Sequence, residues 1–316
     1  MFIRHSLLTV SALAMAMLVG CSSDEVSTNA SDENQGWQAD FPKFRYGVQS
    51  VETQGAALTR YRGFDRHVKE TLGVELDLFL SGEYAGVIQA IAGGQIEVMD
   101  MGASGYAAAW IETNGGIEPL VVPQEADGSI GYYSVMFVRA DSDFQSVEDL
   151  KGKTFAWADP NSASGYLFPL VSLRGMNIEP EQHFGNVVFS GGHEQSIIGV
   201  LDGTYDAAVT WTNDIEKHTR GGLHMMLDRG VLEADDIRII WVSDLIPNPV
   251  IAIRSDVPEE MKNDLRDLFL NLHTDNPEVF SEVARGNSPG YVEVDHSVYQ
   301  IAIDLRKQLQ AERRNR

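Results

Sequence analysis

The chain has a single cysteine in 316 residues, Cys21, so it can form no internal disulfide. It contains no His-Glu-x-x-His, no His/Cys cluster at metal-ligand spacing and no P-loop. Ser104, within Gly102-Ala103-Ser104-Gly105-Tyr106, misses the Gly-x-Ser-x-Gly nucleophile elbow by its final glycine. With neither a metal site nor an activated nucleophile, no catalytic machinery is visible, and no cofactor or metal is expected. Basic residues are scarce as well: 24 Lys and Arg stand against 46 Asp and Glu, a formal net charge of −22. That field repels nucleic acid and anionic lipid surfaces, so neither is expected as a partner. There is no sustained short-period repeat, and low complexity is confined to one segment near the N-terminus.

Among what is present, the N-terminus reads as a targeting segment. Arg4 supplies a positive n-region, and the apolar stretch 7–19 is too short for a stable membrane span. It runs into Leu18-Val19-Gly20-Cys21, which resembles the lipobox of bacterial lipoproteins. That resemblance implies a signal peptide over 1–20 and a lipid on Cys21. Residues 21–40 are rich in Ser, Asn, Asp, Glu and Gln and predict a disordered tether, with folded structure from about 41 onward. Roughly 275 residues remain, enough for one large or two medium α/β lobes.

Hydrophobic periodicity then alternates between two and 3.6 residues. Strands are predicted over 44–48, 74–80 and 96–101, with helices over 63–72, 84–92 and 104–113 between and after them. This β-α order predicts a parallel sheet with helices on both faces. A strong strand signal at 132–139 precedes a second series: strands over 153–157, 187–189, 207–209, 239–241 and 249–253, and helices over 194–201 and 258–272. Residues 299–316 predict a helix with a solvated basic end.

One loop carries most of the chemistry. A β-rich run stops at Asp159-Pro160, and Asn161-Ser162-Ala163-Ser164-Gly165-Tyr166 leads into an apolar run, 167–173. The order predicts strand, tight loop and helix N-terminus. Free N–H groups of a first helical turn attract anions, and Ser162 and Ser164 add hydroxyl donors. Two readings stay open at this point: Ser162 only caps the helix, or the loop cradles an oxyanion without any lysine or arginine.

Five segments in order carry a wider resemblance. They are Glu83-Tyr84-Ala85-Gly86-Val87-Ile88-Gln89-Ala90, Asp127-Gly128-Ser129-Ile130-Gly131-Tyr132-Tyr133-Ser134-Val135, the loop from Asp159 to Tyr166, Gly191-Gly192-His193-Glu194 and Leu245-Ile246-Pro247-Asn248-Pro249. From about 44 to 290 the chain resembles the periplasmic substrate-binding proteins of ABC transporters for phosphonate, phosphite and related phosphorus oxyanions. The resemblance implies a type II two-lobed α/β fold with two crossing hinge strands, near 133–139 and 248–253. Lobe 1 would comprise 41–136 and 249–316, and lobe 2 would comprise 137–248. It also implies a monomer that delivers its ligand to a membrane permease powered by a separate ATPase. The sites implied are the phenols of Tyr84 and Tyr132, the loop Ser162, Ala163 and Ser164, and the imidazole of His193. Ala163 replaces a hydroxyl residue usual in that loop. Where family members that take aminoalkylphosphonates have carboxylates, this chain has Asn213 and Asn248, with Asp214 adjacent to the first. The expected ligand therefore lacks an amine: phosphite, methylphosphonate or phosphate. Asp100, at the end of the third strand, is expected to face the cleft, as partner to a cation or as acceptor for a protonated oxyanion. Rival readings are a sensor for a membrane signalling kinase, a binder of an aminoalkylphosphonate, and an enzyme recruited from the same fold.

Overall fold

The computed structural model describes residues 36–49, 54–284 and 288–314. The expected signal peptide, Cys21 and the tether up to residue 35 lie outside the described residues. The end of that expected tether is part of the fold: Trp37–Ala39 makes a short 3-10 turn. Trp37 is buried, and its indole N–H donates to Asp264 at 2.7 Å. A polar composition around one tryptophan concealed this anchor.

Strands and helices alternate as periodicity predicts. In the first half come β1 (Lys43–Gln49), α1 (Gln54–Leu72), β2 (Glu75–Ser81), α2 (Tyr84–Ala92), β3 (Val98–Met101), α3 (Ala103–Glu112) and β4 (Ile117–Pro123). They are followed by β5 (Gly131–Arg139), β6 (Thr154–Trp157), α4 (Phe168–Gly175), α5 (Pro180–His183), β7 (Asn186–Phe189), α6 (His193–Leu201) and β8 (Ala207–Thr212). The chain ends with α7 (Gly222–Asp228), β9 (Ile237–Val242), β10 (Ile246–Pro247), β11 (Val250–Arg254), α8 (Glu259–Asp275), α9 (Pro277–Ala284), β12 (Tyr291–Glu293) and α10 (Gln300–Arg314).

Two sheets result. The first has the order β12-β4-β11-β3-β1-β2, and the second β10-β5-β8-β6-β7 with β9 also on β5. Neither is purely parallel, contrary to the expectation from β-α order. β11 runs antiparallel between β3 and β4, and β5 runs antiparallel to β8. The reason is topological: a strand that enters a lobe from the other lobe, rather than through a helical crossover, can take either direction. β2 closes one edge and alternates outward Glu75 and Asp77 with half-buried Leu76 and Leu78. β1 buries Phe44, Tyr46, Gly47 and Val48, and its Tyr46 packs among Tyr61, Phe64 and Phe269. Each such ring contributes roughly 1.5–3 kcal/mol through burial.

The first crossing between the lobes is not the strand at 133–139. β5 lies wholly in the second sheet, held by β8, β9 and β10. The chain crosses instead over 124–130, and returns over 248–249 between β10 and β11. α10 also departs from a simple lobe 1 assignment. It buries Ala302, Ile303 and Leu309, and its Arg306 donates to Ser104 of α3 at 2.9 Å and to Asn161 of the second lobe.

Candidate functional site

Beyond β6 the chain folds back so that the N–H of Ala158 donates to the carbonyl of Gly165 at 2.9 Å. Asp159 Oδ1 accepts from the N–H of Asn161 at 2.7 Å, and the Asp159 carbonyl accepts from the N–H of Ser162 at 3.0 Å. Ser162 then caps the helix: its Oγ accepts from the N–H of Gly165 at 2.9 Å. The helix opens with a π turn, Ala163–Leu167, in which the N–H of Leu167 reaches the carbonyl of Ser162 at 3.1 Å. Such turns widen the backbone and recur at functional sites. The N–H groups of Ala163 and Ser164 have no acceptor earlier in their own turn.

Two neighbours fix this loop. Ser134 of β5 donates its hydroxyl to the Ser164 carbonyl at 2.7 Å. Gly165 lets the turn press on its surroundings; a Cβ there would lie 2.5 Å from Ala158 Cβ and 3.1 Å from His193 Cε1. The capping reading and the anion reading thus hold together. Ser162 caps the helix, and Ser162, Ala163 and Ser164 all line a cavity.

The cavity measures about 120 Å³ and lies at the junction of the lobes. That is the volume of about four waters, far below a drug-sized site, and suits a small polyatomic ion. Lobe 1 supplies Tyr84 at the start of α2 and Asp100 and Met101 at the end of β3. Lobe 2 supplies Tyr132, the serine loop and His193. Seven of the residues singled out from sequence therefore meet here: Tyr84, Asp100, Tyr132, Ser162, Ala163, Ser164 and His193.

Asp100 apart, their chemistry is that of neutral donors. His193 begins α6, with Nε2 3.1 Å from Ser162 Oγ and Nδ1 3.4 Å from Thr210 Oγ1. Burial pulls its pKa from 6.5 down to about 4, so at neutral pH it offers one N–H and no charge. Burial likewise pushes the Tyr132 phenol well above its ordinary range, and that phenol is hydrogen-bonded to Ser164. Among the described residues, no lysine or arginine lines the cavity. Carboxylates do: Asp100, Asp159 and Glu194.

Two expected ligand residues are elsewhere. Asn248 is fully buried and spends its Nδ2 on the Pro123 carbonyl and Glu125, both at 2.8 Å. Its Oδ1 accepts from Arg220 at 2.9 Å. Asn213 donates to Glu125 and Thr219, each at 3.0 Å, and accepts from the N–H of Arg220. Neither lines the cavity, so both are corrected as ligand residues. They brace a buried Glu125–Arg220 ion pair. Asp214 is also outside the lining; its Oδ1 accepts from the N–H groups of Glu216 and Lys217 in a surface turn.

Sequence reasoning missed Trp211, Met225, Gln49 and Asp159 as lining residues, and the Glu125–Arg220 pair behind them. Trp211, next to last in β8, meets the Tyr132 ring edge-on at 5.2 Å and carries the Arg220 guanidinium 5.7 Å above its own ring. A large aromatic at the C-terminal end of an inner strand was the signal available for it. Nothing local marked Glu125 or Arg220.

Two α/β lobes joined by two crossings, with a small donor-lined cavity between them, define a solute-binding receptor. The comparisons narrow that class. The profile of the family described as ABC transporter, phosphonate, periplasmic substrate-binding protein matches residues 46–299. The phosphonates-binding periplasmic protein of Escherichia coli is 29% identical over 230 residues, covering 72% of this chain and 65% of that protein. The phosphate-import protein PhnD of Mycolicibacterium smegmatis is 25% identical over 276 residues, covering 84% and 81%. The solved structure of PhnD1 from Prochlorococcus marinus in complex with methylphosphonate superposes with a TM-score of 0.71 at 18% identity, covering 85% of this chain and 99% of that one, a likeness of fold. The chain belongs to the family of periplasmic substrate-binding proteins of phosphonate ABC transporters.

Proposed function

We propose that this chain captures a small phosphorus oxyanion without an amine (phosphite, methylphosphonate or phosphate) and presents it to a membrane permease. The observation that carries this reading is the pinned π turn, whose Ser162, Ala163 and Ser164 line a cavity of about 120 Å³ at a helix N-terminus. Trp211, Met101 and Met225 give the same cavity an apolar wall that suits a P–H or P–CH₃ group. The relatives point the same way: one is named for phosphonates, one for phosphate import, and one structure holds methylphosphonate. Tyr84, Tyr132, Ser162, Ala163, Ser164 and His193 are the proposed donors. Closure of the lobes would exclude water and strengthen each hydrogen bond. The reading includes a lipid at Cys21 holding a monomer at the membrane, and no turnover of the ligand.

Amine-free selectivity rests on cavity size and the apolar wall, not on Asn213 and Asn248. A second reading has its own observation: Asp100, Asp159 and Glu194 could pair with the ammonium of an aminoalkylphosphonate. Calorimetry with phosphite, methylphosphonate, phosphate and 2-aminoethylphosphonate separates the two. Tightest binding of an amine-free ligand is expected; tightest binding of 2-aminoethylphosphonate selects the second reading, and no binding of any of them overturns both.

A further inference from the structure

An anion cavity with carboxylates in its wall and no cation poses an electrostatic problem. The serine loop, the neutral imidazole and the phenols can satisfy the acceptor oxygens of a bound oxyanion. Asp159 and Asp100 cannot, because an ionised carboxylate only accepts hydrogen bonds. They oppose a dianion by like-charge repulsion that, among the described residues, no lysine or arginine in the lining offsets. A ligand that brings its own O–H turns the same carboxylates from a liability into partners, through a short charge-assisted hydrogen bond.

We propose that the cavity takes its oxyanion as the protonated monoanion, donating P–OH to the cavity carboxylates, Asp159 foremost, and that this proton separates phosphorus oxyanions from sulfate and sulfonates. The inference rests on the oxyanion reading above. Asp159 is the principal acceptor because it shares the loop of Ser162 and Ser164. An ion held by those donors therefore lies beside it, whereas Asp100 approaches from β3 in the other lobe. Asp159 Oδ1 accepts from the N–H of Asn161, and a carboxylate has further lone pairs.

The charged and titratable groups around these carboxylates fit the same picture. Glu83, just before α2, raises the pKa of Asp159 and Arg306 of α10 lowers it, but desolvation dominates and the net shift is upward. A carboxylate in that condition gains most from a donor. The charge of Asp100 helps to raise the pKa of the Tyr299 phenol, which burial chiefly keeps neutral. His193 of α6 titrates near 4, well below the range in which phosphonates lose their second proton. Glu194 is already paired with Arg229 at 3.0 Å, and the guanidinium of Arg220 with Glu125.

The test is calorimetric binding to the full chain at several pH values, with phosphite, methylphosphonate, methanesulfonate, sulfate and 2-aminoethylphosphonate. Methanesulfonate matches the charge and shape of the methylphosphonate monoanion and lacks only its proton. Methylphosphonate affinity is expected to fall about tenfold per pH unit above its second ionisation, with phosphite turning over at lower pH because its second proton leaves earlier. A midpoint that tracks the ligand distinguishes ligand titration from titration of Asp159. Methanesulfonate is expected to bind on the order of 10⁴-fold more weakly than methylphosphonate, as sites built around a substrate O–H reject analogues without it. Asp159→Asn keeps the acceptor for Asn161 and supplies an N–H₂, so it should narrow that gap at least tenfold and flatten the pH profile; Asp100→Asn should do so less. Affinity that is flat or rising across the ligand's ionisation overturns the proposal and leaves the oxyanion reading intact. So does methanesulfonate within about threefold of methylphosphonate, or a 2-aminoethylphosphonate preference that Asp159→Asn abolishes. Absence of binding by every phosphorus oxyanion at any pH overturns both.

Discussion

Two polar regions lie close together at the junction of the lobes, and they solve burial in opposite ways. In the serine loop, Ser162, Ala163 and Ser164 line a cavity while Ser162 also caps the helix. In the cluster of Glu125, Arg220, Asn213 and Asn248, every side chain is spent on another: Glu125 accepts from Arg220, Asn213 and Asn248 at once. Glu125 and Asn248 sit on the two crossing segments, and Arg220 and Asn213 on the loop after β8. The cluster therefore ties both crossings to lobe 2, while Arg220 Nε finds no hydrogen-bond partner among the described residues. The difference is one of place: Asn213 and Asn248 spend their hydrogen bonds away from the cavity, whereas Ser162 and His193, though bonded to each other, line it.

The sharpest way to break this comparison is Glu125→Leu. It leaves Arg220 charged and unpaired in the interior, and should cost about 3–5 kcal/mol in urea unfolding. A loss below about 1 kcal/mol would mean that the pair is solvated and the cluster is not structural. Acid probes the other region. The folded-state pKa of His193, about 4, lies below its ordinary 6.5, so between these values the unfolded chain binds a proton that the folded chain refuses. Stability contributed by the neutral imidazole is full above 6.5, declines as pH falls, and is gone below about 4, a change of up to roughly 3 kcal/mol. His193→Gln should remove that slope from melting curves taken across the interval.

Asn248→Asp is smaller and more diagnostic. It deletes donors to the Pro123 carbonyl and Glu125, and should cost about 1–3 kcal/mol of stability. It should confer no affinity for 2-aminoethylphosphonate by calorimetry; a gain would return Asn248 to the ligand site. Ser164→Ala is expected to reverse the pattern. Ligand affinity should fall roughly tenfold for one lost hydroxyl donor, with unfolding free energy lowered by only about 1 kcal/mol, because buried Ser164 also partners the Tyr132 phenol.

Much of the fold was legible because its signals are local. Tyr84–Ala92 shows helical spacing and stops at Gly93-Gly94, with Gly94 at a φ of +69°. The serine loop announced itself through Asp159-Pro160 and a capping serine. β4 and β12 were not foreseen, and the crossing at 124–130 was placed one strand late, because β5 is as apolar as any core strand. The sequence pattern does not say which sheet receives it. Among the residues that line the cavity, His193, Tyr84 and Tyr132 stand beside recognisable motifs, whereas Trp211 and Asp159 carry ordinary strand-end and turn patterns. Gly221 illustrates the limit: at φ +127°, a Cβ there would lie 2.6 Å from the Trp211 carbonyl. That close approach exists only once β8 and the start of α7 meet.

The sequence alone determined most of the elements, the α/β class and the cap at Ser162, because each depends on residues within a turn or two of each other. Tertiary structure decided which polar groups face the cavity. Asn248 and Glu125 are 123 positions apart, and Arg220 and Glu125 are 95 apart. A hydrogen-bond donor is free or spent according to what lies beside it in space, and no local pattern encodes that.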